Sequence, residues 1–201
     1  MGLQEVTIQL IAFRVLAILI IAGVHGGVVA GTAVLLGDKG PKYDGRLTLA
    51  PTGHMDLVGS ISLIVFGFGW IRPVAIDAEQ FRIGRIGIVV VILAGFLGLN
   101  VVAALLEALV VPTLTTLPHT AALATAAFLR TASDVSIYFA LFSLVPIPPL
   151  TGGLLFEAFG ISVSRSVRRV LAAMLLLLAA AGVVRQLLGP AHAVLASVIL
   201  T

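Results

Sequence analysis

The stretch IQLIAFRVLAILIIAGVHGGVVAGTAVLL, residues Ile8–Leu36, decides the fold of this chain. Its only ionisable residues are Arg14 and His25. At about 1.5 Å of rise per residue, a helix of this length exceeds the ~20 residues that cross the hydrocarbon core of a bilayer. We therefore predict a long first transmembrane helix with His25 deep inside it. An ionisable side chain at that depth is a candidate functional residue, because its burial must be offset by a partner.

The composition predicts an integral membrane protein. The 201 residues are 60% hydrophobic and only 10% charged, whereas soluble domains carry about 25% charged residues. We expect a single membrane domain over residues 1–201. The net charge of +3 is interpreted as loop topology and not as nucleic-acid binding. Because the chain has no cysteine, disulfides and thiolate metal sites are excluded.

Three further stretches predict full spans, at residues 86–111, 119–144 and 170–188. Residues 57–70 are apolar but too short for a span, so they predict a re-entrant or interfacial helix. The fold class is therefore an all-α polytopic membrane protein with about four spans.

The connecting segments carry turn and strand signals. Residues 45–50 and 72–76 predict a small β-hairpin at the cytoplasmic membrane edge. Residues 112–118 predict an uncharged exterior loop, and Gly189-Pro190 predicts a break before a terminal apolar piece, residues 191–201, whose depth stays open.

The basic residues indicate an orientation. Nine of the twelve fall on one side of the predicted spans: Lys39, Lys42, Arg46, Arg72, Arg82, Arg85, Arg165, Arg168 and Arg169. Since basic loops face the cytoplasm, we expect a multi-pass protein with its amino terminus outside.

A series of short motifs follows the first helix. They are His25, Leu36-Gly-Asp, Gly45-Arg-Leu-Thr-Leu, Gly53-His-Met-Asp, Gly67-Phe-Gly-Trp, Arg72-Pro-Val, Ala94-Gly-Phe and Val145-Pro-Ile-Pro-Pro-Leu-Thr-Gly-Gly. In this order they resemble the site-2 protease family of zinc intramembrane metalloproteases, in particular its compact bacterial branch. The resemblance covers residues 25–153 and implies a helical core of that type in a bacterial cytoplasmic membrane.

The same resemblance implies that the catalytic residues are missing. The family carries His-Glu-x-x-His on the first core helix and an aspartate in the late motif. Here His25 remains, but Gly26 stands where the family has the glutamate, Val29 where it has the second histidine and Thr151 where it has the aspartate. Two zinc ligands and the general base would thus be absent. We expect no bound metal and no cofactor.

Small residues suggest what replaced the site. Gly23, Gly27 and Gly31 recur at intervals of four and form one strip along the first helix. Small residues at this spacing let helices approach closely in lipid. We predict that the strip packs against Ala94, Gly95 and Gly98 and closes the former metal cavity.

Four intramembrane charges remain. Arg130 and Asp134 are four residues apart on one helix and are predicted to pair; contact with a partner subunit and a polar pathway for ions stay open. Arg14 and Glu107 are expected either to pair across helices or, for Arg14, to extend toward the interface.

The four histidines have modest predicted roles. His25 is interpreted as a neutral, hydrogen-bonded residue, with a residual metal site alone or with His54 as alternatives. His54 is expected to hold a loop, and no role is assigned to His119 or His192.

The leading hypothesis is an inactive site-2-protease-like protein that serves as a structural or accessory subunit and packs against partner integral membrane proteins. The alternatives are a regulatory binder that sequesters a single-span protein, a residual metalloprotease with unusual ligands, and a transporter or channel.

Overall fold

The computed structural model describes residues 7–199, except for the side chain of Glu157. Within this range every regular element is helical, which confirms the all-α class. Single 3-10 turns lie at Pro51–Gly53, Ala78–Gln80, Gly84–Ile86 and Thr151–Gly153. The helices are Ile8–Leu36 (α1), Gly40–Tyr43 (α2), Leu57–Phe66 (α3), Gly87–Ala108 (α4), Val110–Thr116 (α5), His119–Ser143 (α6), Leu154–Ala158 (α7), Arg165–Ala180 (α8) and Val183–Ile199 (α9).

The predicted first helix forms over its whole length. The hydroxyl oxygen of Thr7 accepts from the Leu10 amide at 3.1 Å and caps the first turn. Gly37 ends the helix with φ 126°, a backbone conformation that favours glycine. Between these ends, α1 packs against α4 and α6. These three helices form the centre of the molecule and enclose His25.

The core has a layer on either side of His25. One layer packs α1 against α4 and α7, with the residues Val29, Ala33, Ile88, Val91 and Leu154. The other packs α1 against α4 and α6, with the residues Ile18, Ile21, Leu99, Ala132 and Phe139. The site therefore lies between two packed apolar clusters and not at an exposed rim.

The number of spans differs from the prediction. Among the described residues, two helical stretches are long and apolar enough to cross a membrane, Ile8–Leu36 and Gly84–Thr116. The pair α8 and α9, bent by 74° at their junction, would make a third if it is one span. The expected count of about four is therefore not supported, whereas the short apolar helix α3 forms at the predicted place.

The predicted β-hairpin is wrong. Residues 45–50 and 72–76 form no strand in the described range. Instead, the Arg46 guanidinium donates to the carbonyl oxygen of Arg72 at 2.7 Å, and the Arg72 amide donates to the carbonyl oxygen of His54 at 2.7 Å. A side chain and a loop thus take up the groups that a strand ladder would use. Pro73, which has no amide hydrogen, also weakens pairing there.

Two predicted breaks are also wrong. The expected loop at 112–118 is helical as far as Thr116, because Pro112 lies in the first turn of α5, where no amide donor is needed. Helix α9 runs through Gly189 and Pro190. The break lies earlier, at Gly182, whose φ of 74° ends the preceding helix. The predicted ends of the domain, residues 1–6 and 200–201, lie outside the described residues.

Candidate functional site

His25 and Thr151, two positions that the family resemblance joins, meet in the structure. His25 is fully buried. Its Nδ1 atom lies 3.2 Å from the carbonyl oxygen of Gly95, and its Nε2 atom lies 2.8 Å from Oγ1 of Thr151. Since a carbonyl oxygen can only accept, Nδ1 carries a hydrogen. Full burial favours the neutral imidazole, in which Nε2 accepts the hydroxyl hydrogen of Thr151 and both nitrogens are satisfied.

The segment after α6 positions Thr151. The Ile147 amide donates to the carbonyl oxygen of Val145 at 2.8 Å, and the Leu150 amide donates to that of Ile147 at 2.9 Å, so the proline-rich segment folds into tight turns. Gly152 then lies against the backbone at the end of α6, where a Cβ atom would overlap the Leu144 carbonyl oxygen. This close approach brings the hydroxyl group back to α1.

A cavity of about 60 Å³ adjoins the two side chains. His25, Val29 and Thr151 all line it, so three of the positions implied by the resemblance face one space. Its other walls come from an extended segment and the proline-rich turn, including Ile71, Pro73, Val74, Pro148 and Leu150. A volume of this size has room for water.

Gly26 is the fourth position at which the resemblance implies a catalytic residue, and the side chain of His54 lies over it. The His54 side chain is fully buried, and its Nε2 donates to the carbonyl oxygen of Thr48 at 2.9 Å. Its Nδ1 has no hydrogen-bond partner and lies over Gly26, where an added Cβ atom would overlap the imidazole ring. His54 thus fills the space beside α1 from which a side chain at position 26 would project. Sequence periodicity gave no signal of this contact, since the two residues lie on different segments.

The environment lowers the pKa of His54 below its usual value. Burial is the main cause, and the nearby Arg46 guanidinium acts in the same direction, while the hydrogen bond to Thr48 opposes both. His54 is therefore held in its neutral form.

The donor atoms at the site do not fit zinc. A hydrolytic zinc site needs three protein ligands and one position for water. Here Nε2 of His25 already accepts from a hydroxyl group, and Val29 offers no donor atom. Over residues 7–199, no group of three or more His, Cys, Asp or Glu side chains could hold a metal ion.

The predicted glycine seam has a different partner. A Cβ atom at Gly23 would overlap the Leu49 carbonyl oxygen, and one at Gly27 would lie 2.9 Å from that of Thr48. Position 31 has more room, with the Leu47 side chain 3.8 Å away. The strip therefore receives the loop residues 47–49 and not α4.

The predicted α4 residues contact a different part of α1. Gly95 lies against His25 and Val29, and Gly98 lies against Val28. Ala94 is half-buried. The small residues of α4 thus allow this helix to approach His25, while the glycines of α1 allow residues 47–49 to lie against α1.

The four intramembrane charges also have other partners than predicted. Arg130 lies 3.7 Å from Glu107 on α4, and Asp134 lies 2.9 Å from Nε2 of His192 on α9. The His192 contact is not aligned as a hydrogen bond. Arg14 donates to the carbonyl oxygens of Ile64 and Val65 at 2.9 and 3.0 Å. The predicted pairs of Arg130 with Asp134 and Arg14 with Glu107 are wrong.

Comparison with known proteins gives one informative relative. The chain is 31% identical over 158 residues to a protein of Bacillus subtilis (strain 168) named "Putative zinc metalloprotease YwhC". The match covers 75% of this chain and 70% of that protein. No family model matches the chain. No solved structure matches it either.

Proposed function

Because the chain belongs to the site-2-protease-like family of zinc metalloproteases, we propose that it is a catalytically inactive member of that family. In this proposal it is a structural or accessory subunit that packs against partner transmembrane helices in a larger membrane complex. The observation that carries the proposal is the 2.8 Å hydrogen bond between His25 and Thr151. It satisfies the one remaining imidazole with a neutral hydroxyl group at the place where a metal and a base would be needed.

An unpaired backbone segment supports a holding role. Residues 73–76 are extended and line the cavity beside His25 through Pro73 and Val74. In the part of the chain that the structure describes, the amides of Val74, Ala75 and Ile76 donate no hydrogen bond. Backbone whose amides have no partner is a template for an extended segment of another protein. A partner that brings such a segment beside its transmembrane helix would be held without being cut.

Metal analysis of the purified protein tests the loss of chemistry. We expect no stoichiometric zinc in the natural protein. Val29→His combined with Thr151→Asp is the matched comparison, because it adds the missing ligand types around the same cavity; we expect this variant to take up zinc. Tightly bound zinc in the natural protein that is lost in His25→Ala would contradict the proposal.

Extraction of native membranes in mild detergent tests the accessory role. A subunit copurifies with its partner at a fixed stoichiometry that does not change when the protein is diluted. A regulatory binder would instead associate reversibly and below one copy per partner. Recovery of the protein alone from native membranes would contradict the subunit proposal.

A further inference from the structure

Two arginines from distant parts of the chain converge away from the His25 site. Arg14 is on α1 and Arg185 is on α9. Their terminal guanidinium nitrogens lie 3.2 Å and 3.6 Å from the position that a Cβ atom would take at Gly67. Arg14 is only 6% exposed. Both guanidinium groups stay protonated in proteins, so two positive charges meet inside the helical bundle.

The charges around these arginines do not balance. Within residues 7–199, neither guanidinium group has a carboxylate within 4.0 Å. The negative charge of Asp134 attracts Arg14 from a greater distance. The close contact of the Asp134 carboxylate, however, is with His192. Two like charges in a low-dielectric region repel each other strongly. The cluster therefore carries an excess of positive charge that an anion would neutralise.

The arginines also keep unused donors. Arg14 gives one terminal nitrogen to the carbonyls of Ile64 and Val65, while its buried Nε has no partner. Arg185 stacks on Tyr138, with Cζ 4.7 Å from the ring centroid. A guanidinium group has five N–H donors, so both retain donors for a ligand.

A cavity of about 310 Å³ lies beside this cluster. Its polar wall is Arg185 and Gln186, and its apolar wall includes Phe66, Phe68 and the residues of the bend between α8 and α9. The outer faces of those helices expose Leu177 and Leu187, at 68% and 73%. An anion with an apolar remainder fits these surroundings better than a free ion, because the neighbouring surface is suited to lipid tails.

We propose that this cavity binds the phosphate group of an anionic phospholipid, with Arg185 as the recognising side chain and Arg14, which lies behind the cavity wall, adding positive charge beside it. A phosphodiester presents two oxygens that can accept hydrogen bonds from the guanidinium group of Arg185, which lines the cavity. A lipid with net negative charge offsets the excess positive charge, whereas a zwitterionic lipid brings its own cation. The site is separate from the His25 cavity and does not depend on the function proposed above.

Thermal unfolding and native mass spectrometry of the full chain in mild detergent test this site. The probes are dihexanoyl phosphatidylglycerol, dihexanoyl phosphatidylcholine and inorganic phosphate. We expect phosphatidylglycerol to raise the melting temperature and to remain bound, and the other two probes to do neither. Arg185→Gln should weaken this binding about tenfold, the loss expected for one charged hydrogen-bonding group.

Arg130→Gln is the matched control, because this arginine pairs with Glu107 and is not part of the cluster; its lipid response should match that of the natural protein. Arg185→Lys keeps the charge and tests a variant that is less disruptive to folding, and it should bind more tightly than Arg185→Gln. An equal response to phosphatidylcholine would overturn the proposal. So would an equal response to phosphate alone, which would indicate a free ion, or no response to any probe.

Discussion

The contact between His54 and Gly26 shows how a single residue shapes the surroundings of the site. The imidazole ring lies where a side chain at position 26 would begin, and it is anchored there by its hydrogen bond to Thr48. Because protein interiors are close-packed, even one added methyl group has to displace this ring. The glycine at position 26 therefore contributes to stability, and it also provides no side chain that could act as a base.

We expect Gly26→Ala to destabilise the protein by about 1–3 kcal/mol, the usual cost of overpacking a core. Gly31→Ala on the same helix is the control, since its Cβ atom would lie 3.8 Å from Leu47 in ordinary contact; it should be neutral or slightly stabilising. Thermal unfolding in detergent gives both values. In the double variant with His54→Ala, the two effects should fall short of additivity by at least about 1 kcal/mol. Full additivity would mean that His54 is not the obstacle.

The lowered pKa of His54 predicts a loss of stability in acid. In the unfolded chain this histidine binds a proton near its usual pKa of about 6.5, whereas in the folded chain burial and Arg46 disfavour the proton. As the pH falls below about 6.5, His54 therefore binds a proton in the unfolded state before it does so in the folded state, and the free energy of unfolding decreases.

Melting curves between about pH 8 and about pH 5.5 measure this loss against the usual histidine range. His54→Gln, which can still donate to Thr48, should reduce the pH dependence. If this variant melts with the same pH dependence as the natural protein, His54 is not the group responsible.

Residue positions were easier to predict from the sequence than residue partners. The resemblance names His25 and Thr151 as positions of one site, and their side chains lie 2.8 Å apart in the structure. The spacing of four residues suggested that Arg130 pairs with Asp134, but the packing of α4 on α6 brings Glu107 to Arg130 instead. Helical spacing describes neighbours on one helix only, and it carries no information on which side chain the next helix presents.

At the scale of elements, the bend between α8 and α9 is the largest departure from the sequence prediction. Gly189-Pro190 was expected to end the last span, because proline lacks an amide donor. The structure keeps both residues inside α9 and turns the chain by 74° at Gly182 instead. A proline costs one hydrogen bond in a helix, whereas a left-handed residue ends the helical path, so the glycine decides the break.

We expect Gly182→Ala to destabilise the bend by about 1–2 kcal/mol, the cost of a left-handed conformation for a residue with a Cβ atom. No neighbouring atom lies within 4 Å of that Cβ position, so the cost is one of backbone conformation alone. Gly189→Ala is the control, with equally open space and an ordinary φ, and should stabilise α9 slightly. Equal melting temperatures for the two variants would contradict this reading of the bend.

The segment 72–76 shows what periodicity can establish. Burial alternates along it, with Val74 and Ile76 buried and Ala75 exposed, which is the side-chain pattern of a strand. The pattern describes one segment and does not select its partner, and the expected partner, residues 45–50, lies against the glycines of α1. The predicted strand at residues 72–76 does not form, although the alternation of burial that accompanies a strand is present.

At the scale of the whole molecule, the distribution of charge predicts an orientation. Lys42 precedes the second long apolar stretch, Gly84–Thr116, and Arg85 lies in its first turn. The far end of this stretch, around Thr116, is uncharged. The positive-inside rule therefore places Thr116 outside and Lys42 in the cytoplasm.

Cysteine labelling tests this orientation without background, because the chain contains no cysteine. Both Lys42 and Thr116 are exposed. We expect Thr116→Cys to react with a membrane-impermeant maleimide in intact cells, and Lys42→Cys to react only after permeabilisation. The reverse pattern would place the amino terminus in the cytoplasm.

The imidazole over Gly26 has a consequence for how such a chain can change over generations. A glutamate returning to position 26 would meet the ring and weaken folding before it could contribute to any reaction. A variant designed to carry this glutamate would therefore need a change near His54 as well as ligands at positions 29 and 151. If the chain is inactive, as proposed above, the contacts that keep it folded also oppose the return of the reaction.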